Sequence, residues 1–420
     1  MNLLNIEYEK YRLKNGLEII LYNDNHLPLV AVNIWYKVGS ANERRGKTGI
    51  AHLFEHMMFQ GSQNVPKEMH FKYIQEAGGS LNGSTSFDRT NYYEKVPSNF
   101  IELILWLESD RMGFFLPALT QEKLNNQIDV VKNERLERYD NQPYGLSWEI
   151  ILANLFPEDH PYSWPTIGYI PDITSYTLQD VSDFFTRYYS PSNASLVVAG
   201  NFEKQKVKEL IEIYFGAVAP SNHFKELAVQ TPVTNKNIFL THKDKVQLDR
   251  LYMAWHSDTA YGKDDAELDI LTDILSGSKS SRLYKSLVFE KEIALDVSAY
   301  QYSGKLSGFF VIIATAKPGV NLNTLKEEIF KEIDWLLKAG VTSEELAKSK
   351  NGIKSSFIFS MQNLDSLADQ INSYNFFLNE PNSFNFDLNR YESVQIEGIK
   401  TAAEKYLAKP YIELHVVPDK

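Results

Sequence analysis

Gly49-Ile-Ala-His-Leu-Phe-Glu-His-Met-Met-Phe59 is the stretch whose reading decides the fold. Ile50, Ala51, Leu53, Phe54, Met57, Met58 and Phe59 are apolar and no proline interrupts them, so the stretch predicts a buried helix. On a helix, positions i and i+4 stack on one face with i+3 beside them. His52 and His56 then aim two imidazoles at one point, with the Glu55 carboxylate next to it. Two neutral imidazoles suit a divalent zinc, which in a catalytic site needs one more protein ligand and an open place for water. Glu55 could take a proton from that water. Three unpaired polar groups would be costly on an otherwise apolar helix, which argues against a purely structural role. The order H-x-x-E-H is the inverted zinc-peptidase signature.

Working outward, residues 9–38 read as strands. Tyr11-Arg-Leu, a turn at Lys14-Asn15-Gly16 and Leu17–Tyr22 form an opening hairpin, and 29–38 a further strand. A second helix is predicted around Glu68–Glu76, ended by Gly78-Gly79. Residues 79–96 are rich in Ser, Thr and Tyr with alternating polarity, as in an exposed strand or hairpin. Such an edge could bind an extended peptide through main-chain hydrogen bonds, or simply be a surface hairpin. Phe100–Met112 is an amphipathic helix, and Gln121–Tyr139 a longer, charged one. The third metal ligand should come from the latter, where spacing does not choose between Glu134 and Glu137. Residues 188–202 read as a closing strand.

Patterning fades between Gly216 and Asn237, and the remainder repeats the plan of the first part. Residues 251–255 and 309–315 read as strands, 266–275 and 325–338 as helices, and Thr342-Ser-Glu-Glu345 as a capping box. Residues 181–201 can be laid on 399–419 without gaps, an offset of 218 that matches Tyr188 with Tyr406, Leu196 with Leu414 and Val198 with Val416. At that offset His52, Glu55 and His56 meet Ile270, Asp273 and Ile274, so the copy lacks metal chemistry. The expected fold is α+β, with two similar domains of mixed sheet and flanking helices related by this repeat: 1–216 with the metal, a linker at 217–236, and 237–420 without it. Ser276-Gly-Ser-Lys279 is a weak S-x-x-K match in a Ser-rich loop and is discounted as a catalytic serine.

Composition bounds the rest. With 420 residues, 43% hydrophobic and 23% charged, the chain has the make-up of a globular protein of at least two domains. It has no cysteine, so any zinc is held by His and carboxylate. A net charge of −11 without a basic cluster argues against nucleic acid, and no apolar run is long enough to span a membrane. The first residues show no basic region followed by an apolar one, which points to the cytoplasm, or to the periplasm if a leader was removed.

At this point the chain resembles the pitrilysin/insulysin (M16) family of zinc peptidases, particularly short bacterial members similar to the mitochondrial processing peptidase. The resemblance rests on residues 49–61 together with Gly78-Gly-Ser-Leu-Asn82, Asp88-Arg-Thr-Asn-Tyr-Tyr93, Val130-Val-Lys-Asn-Glu134, Asn141-Gln-Pro-Tyr-Gly145, His160-Pro-Tyr162 and Thr166-Ile-Gly168. It implies one zinc per chain held by His52, His56 and Glu134, with Glu55 activating water. Asn82, Gly83 and Ser84 would bind the peptide, and each chain would be half of a clamshell. Gln127 stands near the metal where the family often has Glu, so tuning is expected there. The Arg and Tyr that active members supply from the metal-free half appear here as Val288 and Leu295, neither of which donates a hydrogen bond. The implied function is a zinc endopeptidase for short or unfolded peptides, the metal-bearing subunit of a heterodimer with a related metal-free chain; a homodimer is the alternative assembly. Arg282, Tyr300 and Tyr302 lie nearby in sequence but read more naturally as fold residues. The competing reading is a binding or assembly subunit that keeps the fold without turnover.

Overall fold

The computed structural model describes residues 5–221 and 226–419. Residues 222–225, inside the expected linker, and the first four residues lie outside the described part. Two mixed sheets carry the chain. The first has the order β1-β2-β6-β3-β5-β4 and is built from β1 (Tyr8–Arg12), β2 (Glu18–Asn23), β3 (Leu29–Tyr36), β4 (Ser80–Thr85), β5 (Thr90–Pro97) and β6 (Ala194–Gly200). The second has the order β7-β11-β8-β10-β9, from β7 (Ile238–Asp244), β8 (Arg250–Ser257), β9 (Ala294–Ser303), β10 (Gly308–Ala316) and β11 (Ile412–Pro418).

The helices in the first part of the chain are α1 (Ile50–Met57), α2 (Met69–Glu76), α3 (Ile101–Phe114), α4 (Gln121–Arg135), α5 (Ser147–Leu155), α6 (Ile170–Ile173), α7 (Leu178–Tyr188) and α8 (Lys204–Phe215). Then follow α9 (Asp265–Ser276), α10 (Leu322–Ala339), α11 (Ser343–Ser360), α12 (Leu364–Leu378), α13 (Phe384–Ser393) and α14 (Ile396–Leu407).

The opening hairpin forms as read: β1 and β2 are antiparallel, and Gly16 makes the turn at φ +94°, a backbone state only glycine enters without strain. The closing strand is shorter than expected. Tyr188 ends α7, a turn at Pro191–Asn193 follows, and β6 begins only at Ala194, because Pro191 has no N–H to give a ladder. The capping box at Thr342 is present: Glu345 N–H donates to Thr342 Oγ1 (3.1 Å) and Thr342 N–H to Glu345 Oε2 (2.8 Å).

The repeat is visible in the sheet order. β6 pairs parallel with β2 and antiparallel with β3, just as β11 pairs parallel with β7 and antiparallel with β8. Leu196 and Val198 on β6, and Leu414 and Val416 on β11, are all fully buried. Long apolar runs in these central strands fit sheets covered on both faces.

The compact units do not follow the expected 1–216 and 237–420 division. One unit takes residues 5–135, 165–227 and 358–385; the other takes 136–164, 228–357 and 386–419. Each sheet is thus covered partly by a segment from the other half of the chain. In the first unit α12 lies across β3, β5 and β6, burying Leu367, Ala368 and Ile371. In the second, α5 packs on β8 and β11, and Trp148 meets Tyr300 and Phe309 at ring distances of 5.1 and 5.9 Å.

Candidate metal centre and peptide strand

Helix α1 leaves the loop after β3 and is held at its start by Glu43, whose two carboxylate oxygens accept the N–H groups of Gly49 (2.9 Å) and Ala51 (2.8 Å). This satisfies two donors that a helix N-terminus leaves open and places a negative charge at its positive end. The apolar face of α1 locks the helix down. Phe54 packs against Tyr189, Phe115 and Phe185 with ring centroids 4.1, 5.2 and 5.8 Å away. Burying such a side chain contributes about 1.5–3 kcal/mol. His52, Glu55 and His56 lie on the opposite, partly open face.

The next requirement is to bring α4 against α1. Gly49 (φ +85°) and Gly168 (φ +76°) touch so closely that a Cβ on Gly168 would lie 2.5 Å from the Gly49 backbone. Arg135, the last residue of α4, donates from its guanidinium to the Gly168 carbonyl at 2.6 Å. The Thr166-Ile-Gly168 motif therefore joins the start of α1 to the end of α4, and Glu134 comes to the histidines. Its Oε2 is 3.2 Å from His56 Nε2 and 3.8 Å from His52 Nε2, and one ligand atom from each residue falls within 4.8 Å of the others. A tetrahedral zinc with bonds of about 2.0–2.1 Å spaces its ligand atoms roughly 3.4 Å apart, so two imidazoles and a carboxylate here fit such an ion. The structure thus brings Glu134 to the pair, while Glu137 is exposed on the π-helical segment Leu136–Asp140 that continues from α4. Gln127 is buried two turns earlier on α4, its amide donating to Asn126 Oδ1 at 2.9 Å.

Glu55 sits beside this group. Its Oε2 accepts a hydrogen bond from Thr85 Oγ1 at 2.6 Å. Burial pushes its carboxyl above the usual carboxylate range, while the Thr85 hydrogen bond and the charges of His56 and Arg89 oppose the shift.

The residues singled out for peptide binding fall on β4, the last strand of its sheet, which pairs only with β5. Gly83 and Thr85 face α1: a Cβ on Gly83 would sit 3.2 Å from Glu55 Cγ. Asn82 is exposed, its Oδ1 accepting the Gly83 N–H at 2.9 Å, and Ser84 Oγ donates to Asn91 Oδ1 at 2.7 Å. Sequence reading missed Thr85, although the two-residue period of a strand sets it on the same face as Gly83.

A second group among the described residues could geometrically hold a metal: His70, Glu94 and Glu108, all buried. There Arg111 already supplies the cation, its Nη2 3.0 Å from Glu94 Oε1 and its Nε 2.9 Å from Glu108 Oε2. In the second unit, Ile270 and Ile274 on α9 are buried in the core where α1 carries histidines. Arg282 is bound to Glu345 and to the Gly340 carbonyl (3.0 Å), and Tyr302 stacks on Phe309, so both serve the fold. Val288 packs against the core of the second unit, and Leu295 is exposed on β9. No described helix is long and apolar enough to cross a membrane.

Comparison with known proteins bears on this arrangement. The family profile described as Insulinase (Peptidase family M16) matches residues 18–159, and Peptidase M16 inactive domain matches residues 175–353. A Helicobacter pylori protein named zinc protease PqqE is 33% identical over 370 residues, spanning 86% of this chain and 81% of that protein. The Bacillus subtilis protein named uncharacterized zinc protease YmxG is 26% identical over 96% of both chains. The crystal structure of a protease from Helicobacter pylori superimposes with a TM-score of 0.89 at 29% identity, covering 99% of this chain and all of that one. With the inverted His-x-x-Glu-His helix and its remote glutamate in place, the chain belongs to the M16 family of metallopeptidases.

Proposed function

We propose that this chain is a zinc endopeptidase for short or unfolded peptides, working as the metal-bearing subunit beside a related metal-free chain. The observation that carries the reading is the convergence of His52, His56 and Glu134 next to Glu55 and alongside an edge strand. His52, His56 and Glu134 would hold the ion, which when bound acidifies water and polarises a carbonyl. The chain's own residues supply the rest. An extended peptide pairs with the open edge of β4, near Asn82, Gly83 and Ser84. Thr85 occupies Glu55 Oε2, leaving Oε1 to take the proton of the attacking water and deliver it to the departing amine. The naming of the relatives as zinc proteases supports the same chemistry.

The partner enters because Val288 and Leu295 offer no donor to a developing oxyanion, and a missing donor of that kind costs on the order of 10²–10³ in rate. Glu55→Gln should retain zinc and lose hydrolysis. Adding a metal-free relative that carries the Arg/Tyr pair should raise peptide cleavage by the native chain. Cleavage that survives Glu55→Gln would refute the role of Glu55, and robust turnover by the native chain alone would refute the need for a partner.

A further inference from the structure

β4 faces two ways. Gly83 and Thr85 point to α1, whereas Ser84 lies on the other side, opposite Asn91 of β5. That second side is organised from a distance. Asp369, on α12, accepts three hydrogen bonds on one oxygen: from Trp35 Nε1 (2.8 Å), Asn91 Nδ2 (2.8 Å) and Asn33 Nδ2 (3.1 Å). With its amide nitrogen so engaged, Asn91 turns its oxygen towards β4, where it accepts Ser84 Oγ (2.7 Å) and an Arg89 guanidinium N–H (3.2 Å). The same Arg89 nitrogen donates to the Ser84 carbonyl at 2.9 Å, and its guanidinium lies over the Trp35 ring at 5.1 Å. An amide side chain can flip, exchanging donor and acceptor. Here Asp369 permits only one of the two orientations, the one in which Ser84 and Arg89 both find an acceptor.

We propose that Asp369 is a positioning residue for peptide capture: through Asn91 it fixes Ser84 and Arg89, and with them the backbone of the strand that receives the peptide. The proposal rests on β4 being the peptide strand. An edge strand of six residues, paired on one side, depends on such anchors for its shape. A segment from the second half of the chain thereby sets the substrate strand of the first sheet.

The test uses the full zinc-loaded chain carrying Glu55→Gln, so that peptide binds without being cut. Affinity for a fluorescein-labelled unfolded casein fragment is read by anisotropy, and amide exchange of residues 80–85 by mass spectrometry. Asp369→Ala should weaken binding on the order of tenfold, as expected for loss of a hydrogen-bonded carboxylate acceptor. It should speed exchange at 80–85 while leaving exchange in α1 and zinc content unchanged. Asn91→Ala should reproduce the effect, and the double substitution should be no worse than either single one, since both break one relay. Asp369→Asn keeps an acceptor of the same reach and should recover part of the affinity, which also guards against a misfolded Ala variant. Unchanged exchange at 80–85 in Asp369→Ala, or multiplicative effects in the double variant, would overturn the relay. Failure of the Glu55→Gln parent itself to bind the fragment would count against β4 as the peptide strand, and the exchange measurement would still decide the relay.

Discussion

Replacing Arg111 by Met tests how the sheet beneath α1 is held. Arg111 lies fully buried between the rings of Tyr92 (4.0 Å to the centroid) and Phe59 (5.2 Å), bonded to both Glu94 and Glu108, with His70 Nε2 3.5 Å from Glu94 Oε1. Burial pushes the Glu94 carboxyl far up, and the neighbouring Glu108 adds to the shift; burial likewise holds His70 far below its usual value, with Arg111 adding to it. Burial thus disfavours charge on both His70 and Glu94, while Arg111 donates to Glu108 through two N–H groups. Breaking a buried pair by removing one partner costs about 3–5 kcal/mol, since the other charge stays buried alone. For a unit of this size that lowers the midpoint of thermal unfolding by roughly 6–20 °C. Glu108→Gln should cost nearly as much, whereas Glu94→Gln should cost less than about 1 kcal/mol, because the burial that raises the Glu94 carboxyl favours its uncharged form, which an amide resembles. The sign of the pH dependence follows. A carboxyl raised in the folded state contributes stability that is fully present below the ordinary glutamate value and lost as pH rises from there through its folded value, so the native chain should lose stability in that direction and Glu94→Gln should lack that component. Thermal unfolding of the three variants across pH checks this. An Arg111→Met loss below about 1 kcal/mol, or equal losses for the two Gln variants, would refute the assignment.

Three further outcomes are expected. Thr85→Val removes the hydrogen bond to Glu55 and, on the proposed peptidase reading, should cut kcat by about 10–100-fold while zinc content stays unchanged, and Thr85→Ser should restore most of it. Gly168→Ala forces a Cβ into the Gly49 backbone at positive φ; a loss of about 1–3 kcal/mol and weaker zinc retention should appear together in calorimetry and metal analysis. At Glu345, burial pushes the carboxyl up, but hydrogen bonds from Arg282 and the Thr342 N–H and the Arg282 charge outweigh it and hold it at about 2. That stability is present above the ordinary glutamate value and lost as pH falls towards about 2, so Glu345→Gln should remove about 1 kcal/mol at neutral pH, after solvent screening, and flatten the acid limb of denaturation.

What was legible in the sequence depended on reach along the chain. The i, i+4 histidines and the apolar face of α1 are local facts, and they placed the histidine-bearing helix directly. The repeat was legible because β6 and β11 hold the same place in their sheets, so the same positions must be buried. The choice between Glu134 and Glu137 was not local. In the structure Glu134 lies beside the histidines, next to Arg135 bound to the Gly168 carbonyl, and neither Arg135 nor Gly168 announces the other in the sequence. The exchange of 136–164 and 358–385 between the units was equally hidden. A helix with one apolar face declares that it packs, never which sheet it packs on. Asp369 is 278 residues from Asn91, and no spacing rule spans that distance.

Metal content against ligand substitution tests the central claim most directly. The purified chain dialysed against trace zinc should hold one ion, His52→Ala and Glu134→Ala should each hold almost none, and Glu137→Ala should match the native chain. Full zinc retention in Glu134→Ala, or its loss in Glu137→Ala alone, would contradict the account.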